Sequence, residues 1–198
     1  QSEKERDVSS LRVGTLPAGM KSSVPVAQAA QEVFCSTTSG FGMSESWAFV
    51  ASSHVSDSLE QRIEASGYPM YGIEFQIRDL DTGESVDSDL EGGLFVRDYT
   101  VTEGYWRKPE ATAEVLSPDG WLDTGDIAKI RADGHIVFVG RHKDMLKVGG
   151  ENVSPAEVEG YLLGLEGVEE VAVVSYPDDR LVQVPVAFVV RSNDIAGD

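Results

Sequence analysis

The sequence predicts an α+β fold in two parts: a β-rich segment over residues 1–140, and a smaller segment over residues 145–198 in which helix and strands alternate. Three observations predict it. Between Gly72 and Val139, short runs of alternating apolar and polar residues are separated by turn residues, which is the period of half-buried strands. After Val153 a helix-start signature precedes two β-branched runs. The texture changes at Arg141 to Asp144, so the boundary between the parts falls there.

From Val26 to Phe34 the chain is rich in Ala and Gln, with apolar residues at helical spacing. The small polar run Ser36 to Gly40 then reads as a strand or loop. Gly72 to Arg78 alternates, Asp81-Thr82-Gly83 supplies turn chemistry, and Gly93 to Arg97 forms the next strand. The acidic stretch from Asp79 to Glu91 reads as a solvated turn. Ile127 to Arg131 and His135 to Val139 flank Ala132-Asp133-Gly134, and Asp-Gly between alternating residues signals a hairpin. Ser154 suits an N-cap, with Pro155 at the first helical position and Glu157 three residues after the cap, so a helix is predicted from Pro155 to about Leu165. Val168 to Tyr176 and Val184 to Val190 follow as strands, broken at Pro177-Asp178-Asp179.

Composition narrows the function classes. With 198 residues and 41% hydrophobic content, the chain can bury a substantial core, as one large domain or two small ones. A formal charge of -18, from 34 acidic and 16 basic residues, argues against nucleic acid, whose phosphates need clustered Lys and Arg. The acidity is read as a well-solvated surface, with adaptation to salt as the other reading. Cys35 is the single cysteine, so no intrachain disulfide forms; a reducing, cytoplasmic setting and a buried, inert thiol are expected. No apolar run approaches the roughly 20 residues of a membrane span, and the charged N-terminus lacks a signal-peptide pattern. His54, His135 and His142 have neither metal-ligand nor triad spacing and are read as surface or hairpin residues.

Four stretches carry the candidate chemistry. In Ser39-Gly40-Phe41-Gly42-Met43-Ser44-Glu45, the glycines allow close backbone approach and Phe41 offers a ring face for a base. Ser44 can donate to a phosphate oxygen, and Glu45 can hold Mg²⁺. Gly104-Tyr105-Trp106-Arg107-Lys108-Pro109, with Thr112, is read as structural. Gly120 to Asp126 contains Thr124-Gly125-Asp126, whose carboxylate can accept hydrogen bonds from two vicinal hydroxyls. Gly140 to Glu159 runs from a basic turn through Gly149-Gly150 into the capped helix. Each stretch alone also fits an ordinary turn.

Taken together and in this order, the four resemble the adenylate-forming (AMP-binding) superfamily of acyl-CoA synthetases, nonribosomal-peptide adenylation domains and luciferases, over about Leu11 to Val190. The resemblance implies the β-rich, barrel-like end of a large AMP-binding domain, then a hinge at 141–144 and part of a small C-terminal domain. It implies nucleotide contacts at Gly40, Phe41, Ser44, Asp126, Phe138 and Arg141, with Ser44 and Glu45 catalytic and Glu45 on the metal. Lys143 falls at the hinge, and Lys147, Gly149, Gly150 and Glu151 fall in the loop of the thioester-forming step. Phe41 and Ser44 replace the family's usual tyrosine and threonine, Gly93 stands for a glutamate and Val182 for a glycine.

The implied activity is ATP- and Mg²⁺-dependent ligation of a carboxylic acid to coenzyme A or to the phosphopantetheine of a carrier protein, through an acyl-adenylate. A phosphate-gripping loop ahead of Ser36 and a catalytic lysine near the C-terminus are not found, so the chain is expected to be a piece truncated at both ends and inactive alone. A non-catalytic nucleotide-binding or interaction module and a luciferase-like oxygenase are the alternative readings.

Overall fold

The computed structural model describes residues 7–20 and 23–192. Strand β1 (Val13–Thr15) pairs in parallel with β2 (Ser36–Thr38), and helix α1 (Val24–Val33) makes the connection. The helix starts two residues before the expected Val26, because Pro25 is tolerated in the first turn, where its missing N–H needs no partner. The Gln31 side chain accepts from the Thr37 N–H at 3.0 Å, and Arg62 of α2 (Leu59–Glu64) donates to the Thr37 carbonyl at 3.0 Å, tying the three elements together.

Two antiparallel sheets form the centre. One has the order β3 (Gly40–Met43), β4 (Ala48–Ser52), β5 (Tyr68–Pro69). The other is a meander of β6 (Glu74–Arg78), β7 (Gly92–Arg97), β8 (Leu122–Ile130) and β9 (Ile136–Arg141), with α3 (Pro109–Val115) between β7 and β8. Their apolar faces share one core, in which Val50 and Ala51 meet Ile77, Leu94, Val96, Ala128 and Ile136. Burying each large aliphatic side chain contributes about 1.5–3 kcal/mol, so this shared core fixes the two sheets against each other. Paired backbone bonds join them as well: Ser66 N–H donates to the Ile136 carbonyl and Ile136 N–H to the Gly67 carbonyl, both at 2.7 Å.

The chain then forms a four-stranded sheet of order β11-β10-β13-β12, from β10 (Leu146–Val148), β11 (Glu151–Val153), β12 (Val168–Asp178) and β13 (Val182–Arg191). Helix α4 (Pro155–Leu163) packs on β12, capped by the Ser154 hydroxyl, which donates to the Val139 carbonyl at 3.0 Å. The α+β class follows.

Four local expectations are corrected. Helix α4 ends at Leu163, two residues early, with Gly164 as its cap. Strand β12 continues through Pro177 and Asp178, because it lies at the sheet edge, where proline withholds no ladder bond. The turn falls after it, where Asp178 Oδ1 accepts from the N–H groups of Arg180 and Leu181 at 2.9 and 2.8 Å. Cys35 is half-buried. His135 is 3% exposed, because the hairpin folds back against the segment after α2. Its ring lies 3.2 Å from Asp133 Oδ1 and 3.6 Å from Asp57 Oδ2, edge-on to Tyr68.

Candidate functional site

Thr124, Gly125 and Asp126 sit within β8, and their local chemistry turns Asp126 inward. The Thr124 hydroxyl donates to the Leu94 carbonyl at 2.8 Å and accepts from the Asp126 N–H at 3.1 Å. The Asp123 carboxylate accepts from the Gly125 N–H at 2.9 Å. Gly125 has φ of 70°, a left-handed conformation that a side chain would strain even though the space beside it is open. Asp126 is left 2% exposed.

Asp126 lies opposite Arg141 across the β8–β9 ladder, so the two side chains share a face. A bulge between Ile127 and Ala128 follows directly, a feature that re-aims side chains beside sites. Arg141 Nε approaches Asp126 Oδ1 to 2.9 Å, yet off the N–H direction, so that buried oxygen has no hydrogen-bond partner in the protein. Burial pushes the Asp126 carboxyl up to about 6; the Arg141 guanidinium opposes the rise, and the Asp123 and Glu45 carboxylates add to it. A buried acceptor with unused lone pairs suits a ligand that brings hydroxyl donors.

A cavity of about 230 Å³ opens onto this pair, with Gly40, Phe41, Ser66 and Phe138 among its lining. Phe41 is 8% exposed; its ring stacks on Phe138 at 6.4 Å and meets Phe75 edge-on. It therefore presents a margin of its face to the cavity and anchors the core with the rest. Gly42 has a reason internal to the sheet: a Cβ there would lie 1.4 Å from the Ala48 carbonyl oxygen. Larger open cavities lie elsewhere, one of about 540 Å³ beside Glu64, Lys129 and Arg131. The smaller one is the candidate because buried acid, cation, aromatic faces and exposed backbone converge there.

Ser44 and Glu45 stand on the 3-10 turn Ser44–Ser46 that follows β3. Glu45 Oε1 accepts from the Tyr105 hydroxyl at 2.9 Å, so the stretch read as structural reaches a predicted site residue. Lys143 lies exposed in the 3-10 turn His142–Asp144. Lys147, Gly149, Gly150 and Glu151 form the β10–β11 hairpin. Lys147 and Gly150 line a separate cavity of about 310 Å³ with Asp79, Asp81, Glu91 and His142. Thus Gly40, Phe41, Asp126, Phe138 and Arg141 come together, whereas the hairpin stands apart from them.

Sequence reading missed Tyr105 and Ser66. Tyr105 meets Glu45 across a separation of 60 residues, for which no local pattern exists. Ser66 is buried and donates to the Ala18 carbonyl at 2.8 Å, which holds the Pro17-Ala18-Gly19 turn against the cavity.

Residues 1–106 match the profile of the AMP-binding enzyme family, and residues 157–197 match that of the AMP-binding enzyme C-terminal domain. The chain belongs to the AMP-binding enzyme family. Within that family it is 36% identical to 4-coumarate–CoA ligase 1 of Arabidopsis thaliana over 205 residues, 98% of this chain and 35% of that protein. Feruloyl-CoA synthase of an Amycolatopsis species is 40% identical over 78% of this chain and 31% of its own length. The structure of the anthranilate CoA ligase AuaEII in complex with anthranoyl-AMP superposes with a TM-score of 0.81 at 32% identity, covering 97% of this chain and 36% of that one. The chain spans about a third of the length of these family members. Among the described residues no helix is long and apolar enough to cross a membrane.

Proposed function

We propose that the chain supplies the nucleoside-binding wall and the thiol-step hairpin of an ATP-dependent carboxylic acid:CoA ligase that acts through an acyl-adenylate. The observation that carries this reading is the buried Asp126 carboxylate, paired with Arg141 at the wall of a cavity edged by Phe41, Phe138 and Gly40. Asp126 accepts from the ribose hydroxyls at the cavity wall that its carboxylate lines. Arg141, half-exposed beside it, faces the ribose or the phosphates, and the Phe41 and Phe138 faces border the base.

The reaction has two steps. A substrate carboxylate oxygen bonds to the α-phosphorus of ATP as the bond to pyrophosphate breaks; then a thiol loses its proton, its sulfur bonds to the acyl carbon, and AMP leaves. Both depend on positioning and on compensation of charge. Ser44 would donate to a phosphate oxygen. Glu45 is the residue that would hold Mg²⁺, which, when bound, neutralises phosphate charge.

Lys143 serves as the hinge between residues 1–140 and 145–198, and the hairpin at Lys147 to Glu151 serves the thioester step. Coenzyme A is favoured as acceptor over a carrier protein, since the relatives named above are CoA ligases. The single half-buried Cys35 supports a reducing, cytoplasmic setting.

The test is Asp126→Ala in the protein at its native length. KM for ATP rises about ten- to a hundredfold while KM for the acid holds, because a charged acceptor is worth roughly 1.5–3 kcal/mol. An unchanged KM for ATP would sink the reading.

A further inference from the structure

We propose that Tyr105 is a positioning residue for Glu45: its phenol fixes the carboxylate that, in the function proposed above and resting on it, holds the metal ion. The phenol donates to Glu45 Oε1 at 2.9 Å. Both ends of this contact are themselves held, so it joins two anchored pieces of backbone.

On the Glu45 side, the 3-10 turn is weakly closed on its own, since Trp47 N–H reaches the Ser44 carbonyl at only 3.4 Å. Trp47 and Ala48 then adopt φ of 59° and 85°, a region that residues with a side chain occupy only when their surroundings dictate it. The surroundings here are the connection after β7. Thr102 N–H donates to the Glu45 carbonyl at 2.7 Å, and the Thr100 hydroxyl donates to the Ser46 carbonyl at 2.9 Å. The same connection carries Tyr105.

On the Tyr105 side, the start of α3 clamps the residue. Tyr105 N–H donates to the Thr112 hydroxyl at 2.9 Å, and that hydroxyl donates to the Lys108 carbonyl at 2.9 Å. Lys108 N–H returns to the Tyr105 carbonyl at 3.0 Å. With its backbone locked, the ring chooses among a few staggered rotamers, and the one it adopts brings its hydroxyl to Glu45. The phenol is 38% exposed as a residue, so packing alone does not explain a tyrosine rather than a phenylalanine. A long acidic side chain loses rotamer freedom when it binds an ion; a donor that orders it beforehand removes part of that cost.

Two readouts at native length test this. In the first, Tyr105→Phe is combined with Glu45→Gln: a phenol that acts through the carboxylate changes the Mg²⁺ requirement no further once Glu45 is Gln, and a separate, additive effect in the double variant overturns the positioning role. In the second, Tyr105→Phe alone is expected to keep the wild-type melting temperature and KM for the acid. The Mg²⁺ concentration for half-maximal acid-dependent pyrophosphate exchange rises about two- to tenfold, the worth of one hydrogen bond. Should Glu45→Gln raise the Mg²⁺ requirement and Tyr105→Phe leave it unchanged, Tyr105 does not position the ligand. Should Glu45→Gln itself leave it unchanged, Glu45 is not the ligand, and the reading of the metal site fails first.

Discussion

At the scale of residues, Asp126 shows how a motif and its environment divide the work. Thr-Gly-Asp was legible as a carboxylate on a turn; that the turn lies inside a strand, with Thr124 tied to the Leu94 carbonyl, was not, because the partner belongs to β7. The burial that results has a measurable consequence. Asp126 binds its proton with a pKa of about 6 when folded, against 3.8 for the free group, so between these values the folded chain holds a proton that the unfolded chain has released. Stability from this group therefore falls as pH rises through that window, and above it the buried charge costs on the order of 3 kcal/mol. Asp126→Asn removes the ionisation. Relative to wild type it is expected to gain about 1 kcal/mol between about pH 5 and about pH 8, read by urea unfolding. A parallel pH dependence in the two proteins would show that Asp126 ionises as freely as in solvent.

At the scale of elements, legibility followed locality. The Asp133-Gly134 hairpin and the Ser154-Pro155 helix start are written in residues a few positions apart, and both form where the sequence places them. Strand β12 runs past Pro177 because the edge of a sheet forgives a missing N–H, and strand order is not a local property. The turn His142–Asp144 links β9 to β10, with Lys143 exposed at its centre. If this turn is the hinge, fixing φ there blocks rotation without touching the nucleotide cavity. Lys143→Pro at native length is then expected to retain acid-dependent pyrophosphate exchange and to lose most thioester formation, measured as separate half-reactions. Equal loss of both would place the hinge elsewhere.

At the scale of the whole molecule, the chain spans about a third of the length of the family members it matches. Catalysis by charge compensation depends on every donor being in place, and a single lost donor can cost about a hundredfold in kcat. The 198-residue chain by itself is therefore expected to give no acid-dependent ATP–pyrophosphate exchange above a no-acid blank, with a complete relative as positive control; exchange that survives repurification and disappears in Asp126→Ala would show the chain to be self-sufficient. The family, the α+β class and the residues of the motifs are legible from the order of residues alone, because glycine, proline, capping and alternation signals act over a few residues and the four motifs follow one another along the chain. That Asp126 is buried opposite Arg141, and that Phe41 belongs to the core as well as the cavity, became visible in the folded chain. The enclosure of His135 and the reach of Tyr105 to Glu45 belong with them. The sheet contacts are set by strand order, register and bulges, since side-chain direction in a sheet is fixed by those and not by the neighbours along the chain; the contact of Tyr105 joins two connecting segments clamped by hydrogen bonds from Thr102 and to Thr112.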